Sequence, residues 1–262
     1  MIAKKAAMDR REFLYKSAAF SIGSLLGLNT LSRAFASETS VGQSKIALII
    51  DDIGFSRSRL EMFLEIETVM TFAVLPRLSL SLPLAEEIHC LGYEIMLHQP
   101  MEPSDANVDP GPGAVYVGDD EDKIGMVLEE NISEFPFATG INNHMGSRFT
   151  ACPREMTDVI KTIKGKGLFF VDSLTTNHST GYQTAKSLNV AAARRNIFLD
   201  NNLDVSAITA QLYKLKNLAL KTGYAIGIGH PFPETAEAIA LFKVSLIDSN
   251  IQMMKMSSLI PA

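Results

Sequence analysis

Asp51 and Asp52 are adjacent carboxylates that close an apolar run, Ile46-Ala-Leu-Ile-Ile50, and Ile53-Gly54 follows them. Three more reactive side chains, His98, Asp172 and His230, close later apolar runs in the same way, and His144 follows another predicted strand just after Asn142-Asn143. One carboxylate with two imidazoles is a ligand set for Zn²⁺ or a similar divalent ion, with positions left open for water and substrate. Such a metal lowers the pKa of its water and polarises an acyl oxygen, as amide or ester hydrolysis requires. A second carboxylate can take the proton from that water, and a histidine across the substrate can protonate the departing amine or alkoxide. Of the five histidines, His89 falls in a predicted helix and His178 several residues into a loop. The other three sit at or just after strand exits.

These side chains are far apart in sequence, so the fold must gather them. Buried strands are predicted at 45–50, 69–75, 93–97, 138–142, 168–171, 189–193 and 224–229, with a short one near 251–255. They alternate with helices at about 56–67, 80–91, 121–135, 153–164, 205–221 and from 234 onward. Strand–helix alternation of this kind argues for parallel βαβ units with right-handed crossovers. Seven units predict a single-domain barrel or strongly curved sheet, whose carboxyl strand ends share one rim. Residues 103–118 carry three prolines and three glycines without periodicity and form a long loop. Cys90 and Cys152 lack zinc-ribbon spacing and are expected to be unpaired thiols.

The chain has 262 residues, of which 47% are hydrophobic and 20% charged, so a globular protein is expected. Its start reads as an address. Arg10-Arg11-Glu-Phe13-Leu14 is a twin-arginine pattern, residues 17–31 are weakly apolar, and Ala34-Phe-Ala36 supplies a signal-peptidase site. Residues 1–36 are therefore expected to be a twin-arginine signal peptide, 37–44 a linker and 45–262 the domain. The apolar stretch is too short and too polar to span a membrane. The expected location is the periplasm or the exterior, reached through the twin-arginine machinery. Removing residues 1–36 moves the formal net charge from −5 to −9, which opposes nonspecific binding to nucleic acid or anionic membranes.

Four motifs carry a family resemblance: Asp51-Asp52-Ile-Gly54, Leu97-His98-Gln-Pro-Met-Glu102, Asn142-Asn-His144-Met-Gly-Ser147 and Gly227-Ile-Gly-His230-Pro231. Together they resemble the divergent polysaccharide deacetylases of the NodB-homology superfamily, over about residues 45–259. The resemblance implies a distorted seven-stranded (β/α) barrel and a carbohydrate substrate. It also implies Asp51 as general base, Asp52 and His98 as metal ligands and His230 as general acid. Better-characterised relatives place a second histidine four residues after the first, where this chain has Glu102. His144 is the expected third ligand, with Glu102 as substitute. Arg148 stands near the place of the family's arginine, and Asp172 is a candidate to buttress the base in a chain without tryptophan. The expected function is an exported, metal-dependent hydrolase removing acetyl groups from an N- or O-acetylated polysaccharide. The alternative is a degenerate member that binds glycan or an envelope protein without hydrolysis. Arg194-Arg195 is expected to be a solvated pair or a substrate contact.

Overall fold

A computed structural model describes residues 42–260. The expected signal peptide and most of the linker lie outside the described residues. The elements run β1 (Ser44–Ile53), α1 (Arg57–Leu64), β2 (Thr71–Val74), α2 (Ser81–Cys90), β3 (Glu94–Met101), α3 (Glu121–Glu134) and β4 (Gly140–Met145). They continue with α4 (Pro153–Gly165), β5 (Phe169–Asp172), α5 (Gly181–Ser187), β6 (Ala192–Arg194) and β7 (Ile197–Phe198). The last are α6 (Val205–Thr222), β8 (Tyr224–Gly229), α7 (Pro233–Val244) and β9 (Ile251–Met253). Local chemistry sets the boundaries. Asp120 and Asp204 cap α3 and α6 by accepting from backbone N–H groups, and Gly223 ends α6 in the left-handed region at φ 89°.

The sheet runs β6-β5-β4-β3-β2-β1-β8-β7, with β9 added beside the start of β1. Its pairings are parallel, so the carboxyl ends meet on one rim as expected. The two edges are neighbours in the chain. Arg195 N–H donates to Asp172 O on one side of the seam, and Asn196 N–H donates to Ile226 O on the other. Two residues thus bridge the open side of a curled, distorted barrel. The predicted sixth strand at 189–193 lies instead at Ala192–Arg194, and β7 was not predicted. A strand of two residues has no period to read; its place comes from pairing with Ile228 and Gly227. Helix α5 was also missed, since its buried residues, Gly181 and Ala185, form no apolar stripe.

Alternation along the strands makes two cores. Even positions of β1 (Ile46, Leu48, Ile50) face the helices, while Ala47 and Ile49 face inward with Ala73, Met96, Val171, Ile226 and Ile228. Close packing there requires glycine at 140: a Cβ would lie 2.3 Å from the ring of Phe169. Two residues further along each strand the inward position becomes polar. Ile49 leads to Asp51, Met96 to His98, Gly140 to Asn142 and His144, Val171 to Ser173, and Ile228 to His230. The apolar plug is thus topped by one polar layer. Among the described residues no helix is long and apolar enough to cross a membrane. Cys90 and Cys152 are both free.

Candidate metal centre and its flanking groups

In a regular strand Asp51 and Asp52 would point to opposite faces. Here the pairing of β1 with β2 slips between Ile50 and Ile53, placing one extra residue on β1. Asp52 takes a left-handed conformation, φ 57°, which a short polar side chain tolerates better than a branched one. The bulge turns both carboxylates to the same side. Asp51 is buried and Asp52 partly open.

Asp52 Oδ1 lies 3.1 Å from His98 Nε2 and 2.9 Å from His144 Nδ1. The two ring nitrogens are 3.2 Å apart, with the rings edge to face. These edges are close to the about 3.3–3.6 Å expected between ligands of a tetrahedral ion held at about 2.0–2.2 Å. Asp52 Oδ1 is buried and has no hydrogen-bond partner, although two imidazoles adjoin it. Three potential ligand atoms converging in this way, one of them an orphaned carboxylate oxygen, fit a divalent cation; the three residues form the one Asp/His cluster of metal-ligand geometry found among the described residues. Burial acts to raise the Asp52 pKa, but the neighbouring His144 and His98 outweigh it and hold the carboxyl far below its usual range.

Behind the cluster, Asn142 bridges two of its neighbours. Its Oδ1 lies 2.8 Å from His98 Nδ1, and its Nδ2 donates to Asp51 Oδ1 at 2.8 Å. With Oδ1 of Asn142 as acceptor, His98 carries its proton on Nδ1 and presents Nε2 as a lone pair toward Asp52. Register explains the first contact, since His98 and Asn142 are direct partners across β3 and β4. The second Asp51 oxygen is 3.6 Å from His98 Nε2. Burial pushes the Asp51 carboxyl above the ordinary carboxylate range, against the pull of His98 and His230.

His230 leaves β8 beside Asp200, which follows β7. Asp200 Oδ1 lies 2.9 Å from His230 Nδ1, while Oδ2 accepts from His230 N–H at 2.6 Å and from Thr235 Oγ1 at 2.8 Å. The imidazole is therefore fixed through Nδ1 and keeps Nε2 available. Burial would lower its pKa, but Asp200 and then Asp51 more than reverse this, so it is pushed up to about 9.

The sequence profile of the divergent polysaccharide deacetylases matches residues 48–260. The chain belongs to that family. It is 30% identical over 217 residues to the uncharacterized protein YibQ of Escherichia coli K12, covering 82% of this chain and 67% of that one. An uncharacterized Agrobacterium tumefaciens C58 protein shares the fold at TM-score 0.76 and 23% identity, over 83% of this chain and 89% of its own. A mutant of BA3943, described as a CE4 family pseudoenzyme with restored enzymatic activity, does so at TM-score 0.57 and 14% identity, over 83% and 68%.

Where this deacetylase-family chain departs from the expected motif, the structure shows what takes the place of the missing groups. Glu102 is turned away from the cluster: Oε2 accepts from Val117 N–H at 2.7 Å, and Oε1 pairs with Arg148 at 2.6 Å. Its carboxylate is committed to the long loop, so His144 alone completes the cluster, and Arg148 serves Glu102 rather than Asp51. Asp172 does not buttress the base. It is wholly buried and accepts from Leu174 N–H, Ser179 Oγ and Tyr182 N–H, tying down the turn before α5. Asn142 holds Asp51 instead. Arg194 is exposed, but Arg195 is not a solvated residue: it donates to Ser173 O and Leu174 O and stacks 3.6 Å from the Phe198 centroid. His89 and His178 are exposed and outside the cluster. Asn142 and Asp200 were not singled out from sequence. A polar residue at the inward period of β4 was the available sign for Asn142; Asp200 had none, because β7 was unread.

Proposed function

We propose that the protein is an exported, divalent-metal-dependent hydrolase that removes acyl groups, acetyl in the simplest case, from an N- or O-acylated polysaccharide. The observation carrying this reading is the orphaned Asp52 Oδ1 among two imidazole nitrogens, flanked by a carboxylate and an imidazole in different environments. Asp52, His98 and His144 would hold the metal, with Zn²⁺ matching a carboxylate–imidazole set. A bound ion there would acidify a water and polarise the acyl oxygen. Asp51 accepts the proton of the attacking water; Asn142 occupies its Oδ1 and leaves Oδ2 facing the cluster. The raised Asp51 pKa makes it a stronger base than an exposed aspartate. His230, held by Asp200, gives its proton from Nε2 to the departing nitrogen or oxygen. Glycan or envelope binding without hydrolysis is the rival, and the completeness of base, cluster and acid weighs against it. Purified protein supplied with zinc, cobalt or manganese and still releasing no acyl group from acylated glycans would sink the hydrolase reading.

The acid role gives a pH prediction. A histidine whose folded pKa is raised from 6.5 to about 9 stabilises the fold fully below 6.5 and loses that contribution as pH rises through 9. In metal-free protein the His230 ring is expected to titrate near pH 9 by NMR. Asp200→Asn should bring its midpoint back toward 6.5; an unmoved midpoint refutes the assigned partner.

Residues 1–36 are proposed as a twin-arginine signal, placing the mature protein in the periplasm or outside the cell. Fused to a fluorescent reporter, residues 1–41 should direct export, and Arg10→Lys with Arg11→Lys should abolish it. Export unaffected by the double substitution would reject this address.

A further inference from the structure

Two clefts leave Asp52 in different directions, with Phe55 on the wall of both. Phe55 is 66% exposed. One cleft passes Ser56 and Arg59 to Phe232, whose ring lies 5.7 Å from the Arg59 guanidinium. Aromatic faces with a hydroxyl and a guanidinium suit a sugar ring. The other cleft, about 270 Å³, adjoins His144 and is walled by Leu75, Leu78, Pro100, Pro110, Pro112 and Met145. Its polar side chains are Asp52 and His144, both in the cluster, and Asp109, whose Oδ1 already accepts from Gly111 N–H at 2.9 Å.

The proline wall is held in place from behind. Buried Gln99 donates to Pro100 O at 2.8 Å and Gly113 O at 2.9 Å, and Asn131 donates to Gly113 O at 2.8 Å and Gln99 Oε1 at 2.8 Å. Arg77 Nε in turn donates to Asn131 Oδ1 at 2.7 Å. The cleft is therefore preformed, and its walls offer few partners for hydroxyl groups. A sugar ring seated there would lose hydrogen bonds to water without replacing them. An alkyl chain loses none. An apolar cavity of about 150 Å³ accommodates benzene, so this cleft has room for far more than a methyl group.

We propose that this second cleft receives the acyl chain, and that the preferred substrate is a saccharide N- or O-acylated with about six carbons or more. The inference rests on the hydrolase reading for the chemistry and deepens it by naming the acyl group. In the reaction the acyl C–N or C–O bond breaks and the water oxygen bonds to the acyl carbon. One water proton goes to Asp51 and the proton of His230 goes to the leaving amine or alkoxide, giving a carboxylic acid and the free sugar.

The test uses metal-loaded protein with N-acetyl-, N-hexanoyl- and N-octanoylglucosamine, together with calorimetric binding of octanamide and acetamide to metal-free protein. Burial at about 0.8 kcal/mol per methylene corresponds to about fourfold per methylene. Hexanoyl should thus exceed acetyl by at least about 30-fold in kcat/KM, and octanamide should bind at least about 30-fold tighter than acetamide. Leu78→Trp and, independently, Pro112→Trp should collapse both preferences. Hydrolysis that favours acetyl overturns the inference and leaves the hydrolase reading standing. Octanamide preference without hydrolysis of any amide supports the acyl cleft and removes the amide-hydrolysing half of the hydrolase reading. Equal binding of the two amides overturns the acyl cleft whatever the kinetics show.

Discussion

His98→Ala is expected to lower metal affinity by more than about 100-fold and to abolish acyl release with it. Substitutions in the shell behind a metal ligand already cost about 10–100-fold, and His98 is proposed as a ligand itself. Its Nε2 is one of three donor atoms within 2.9–3.2 Å of one another, so its loss leaves two. The substitution also strands Asn142 Oδ1, which faces His98 Nδ1 in a buried setting. That costs about 1–3 kcal/mol of stability, leaving a folded protein to measure. Metal content by mass spectrometry, with circular dichroism as the folding check, reads the result. Glu102→Ala is the internal contrast. Its carboxylate serves Val117 N–H and Arg148, so metal content should stay near wild type. Metal retained in His98→Ala would remove His98 from the ligand set, and metal lost in Glu102→Ala would put Glu102 in the place given to His144.

Much of this arrangement was legible because a parallel barrel converts sequence period into geometry. Asp51, His98 and His230 stand two residues beyond inward-facing apolar positions, and their strands end together. His144 was legible as a strand-end imidazole, although its strand runs to Met145 rather than stopping at Asn142. The bulge at Asp51–Asp52 was not legible: an aspartate with positive φ looks like any other in sequence. The direction of Glu102 was hidden for a different reason. It depends on the loop after it, where Glu102 N–H donates to Val115 O and brings Val117 N–H to the carboxylate. Arg195 read as solvated because nothing local reveals that the next turn of chain closes the barrel seam around it.

Asp51→Asn separates catalysis from metal holding. The amide matches the carboxylate in volume, leaves Asp52, His98 and His144 untouched, and cannot accept a proton from water. Turnover is expected to fall by about 10²–10⁴ while bound metal and acylated-glycan affinity stay near wild type. The environment of Asp51 adds an independent signature. Its folded pKa is raised above 3.8 by burial, so its contribution to stability is present below the unfolded pKa and lost as pH rises through the folded one. At pH 7–8 the buried charge therefore costs stability that asparagine does not. Metal-free Asp51→Asn should melt higher than metal-free wild type at pH 7–8, and the gap should close toward pH 4. A variant both inactive and more stable is what a buried base held ready for proton transfer predicts. Unchanged turnover would remove Asp51 from the chemistry. Lower stability at pH 7–8 would show that Asn142 and its neighbours favour the charged form over the neutral one.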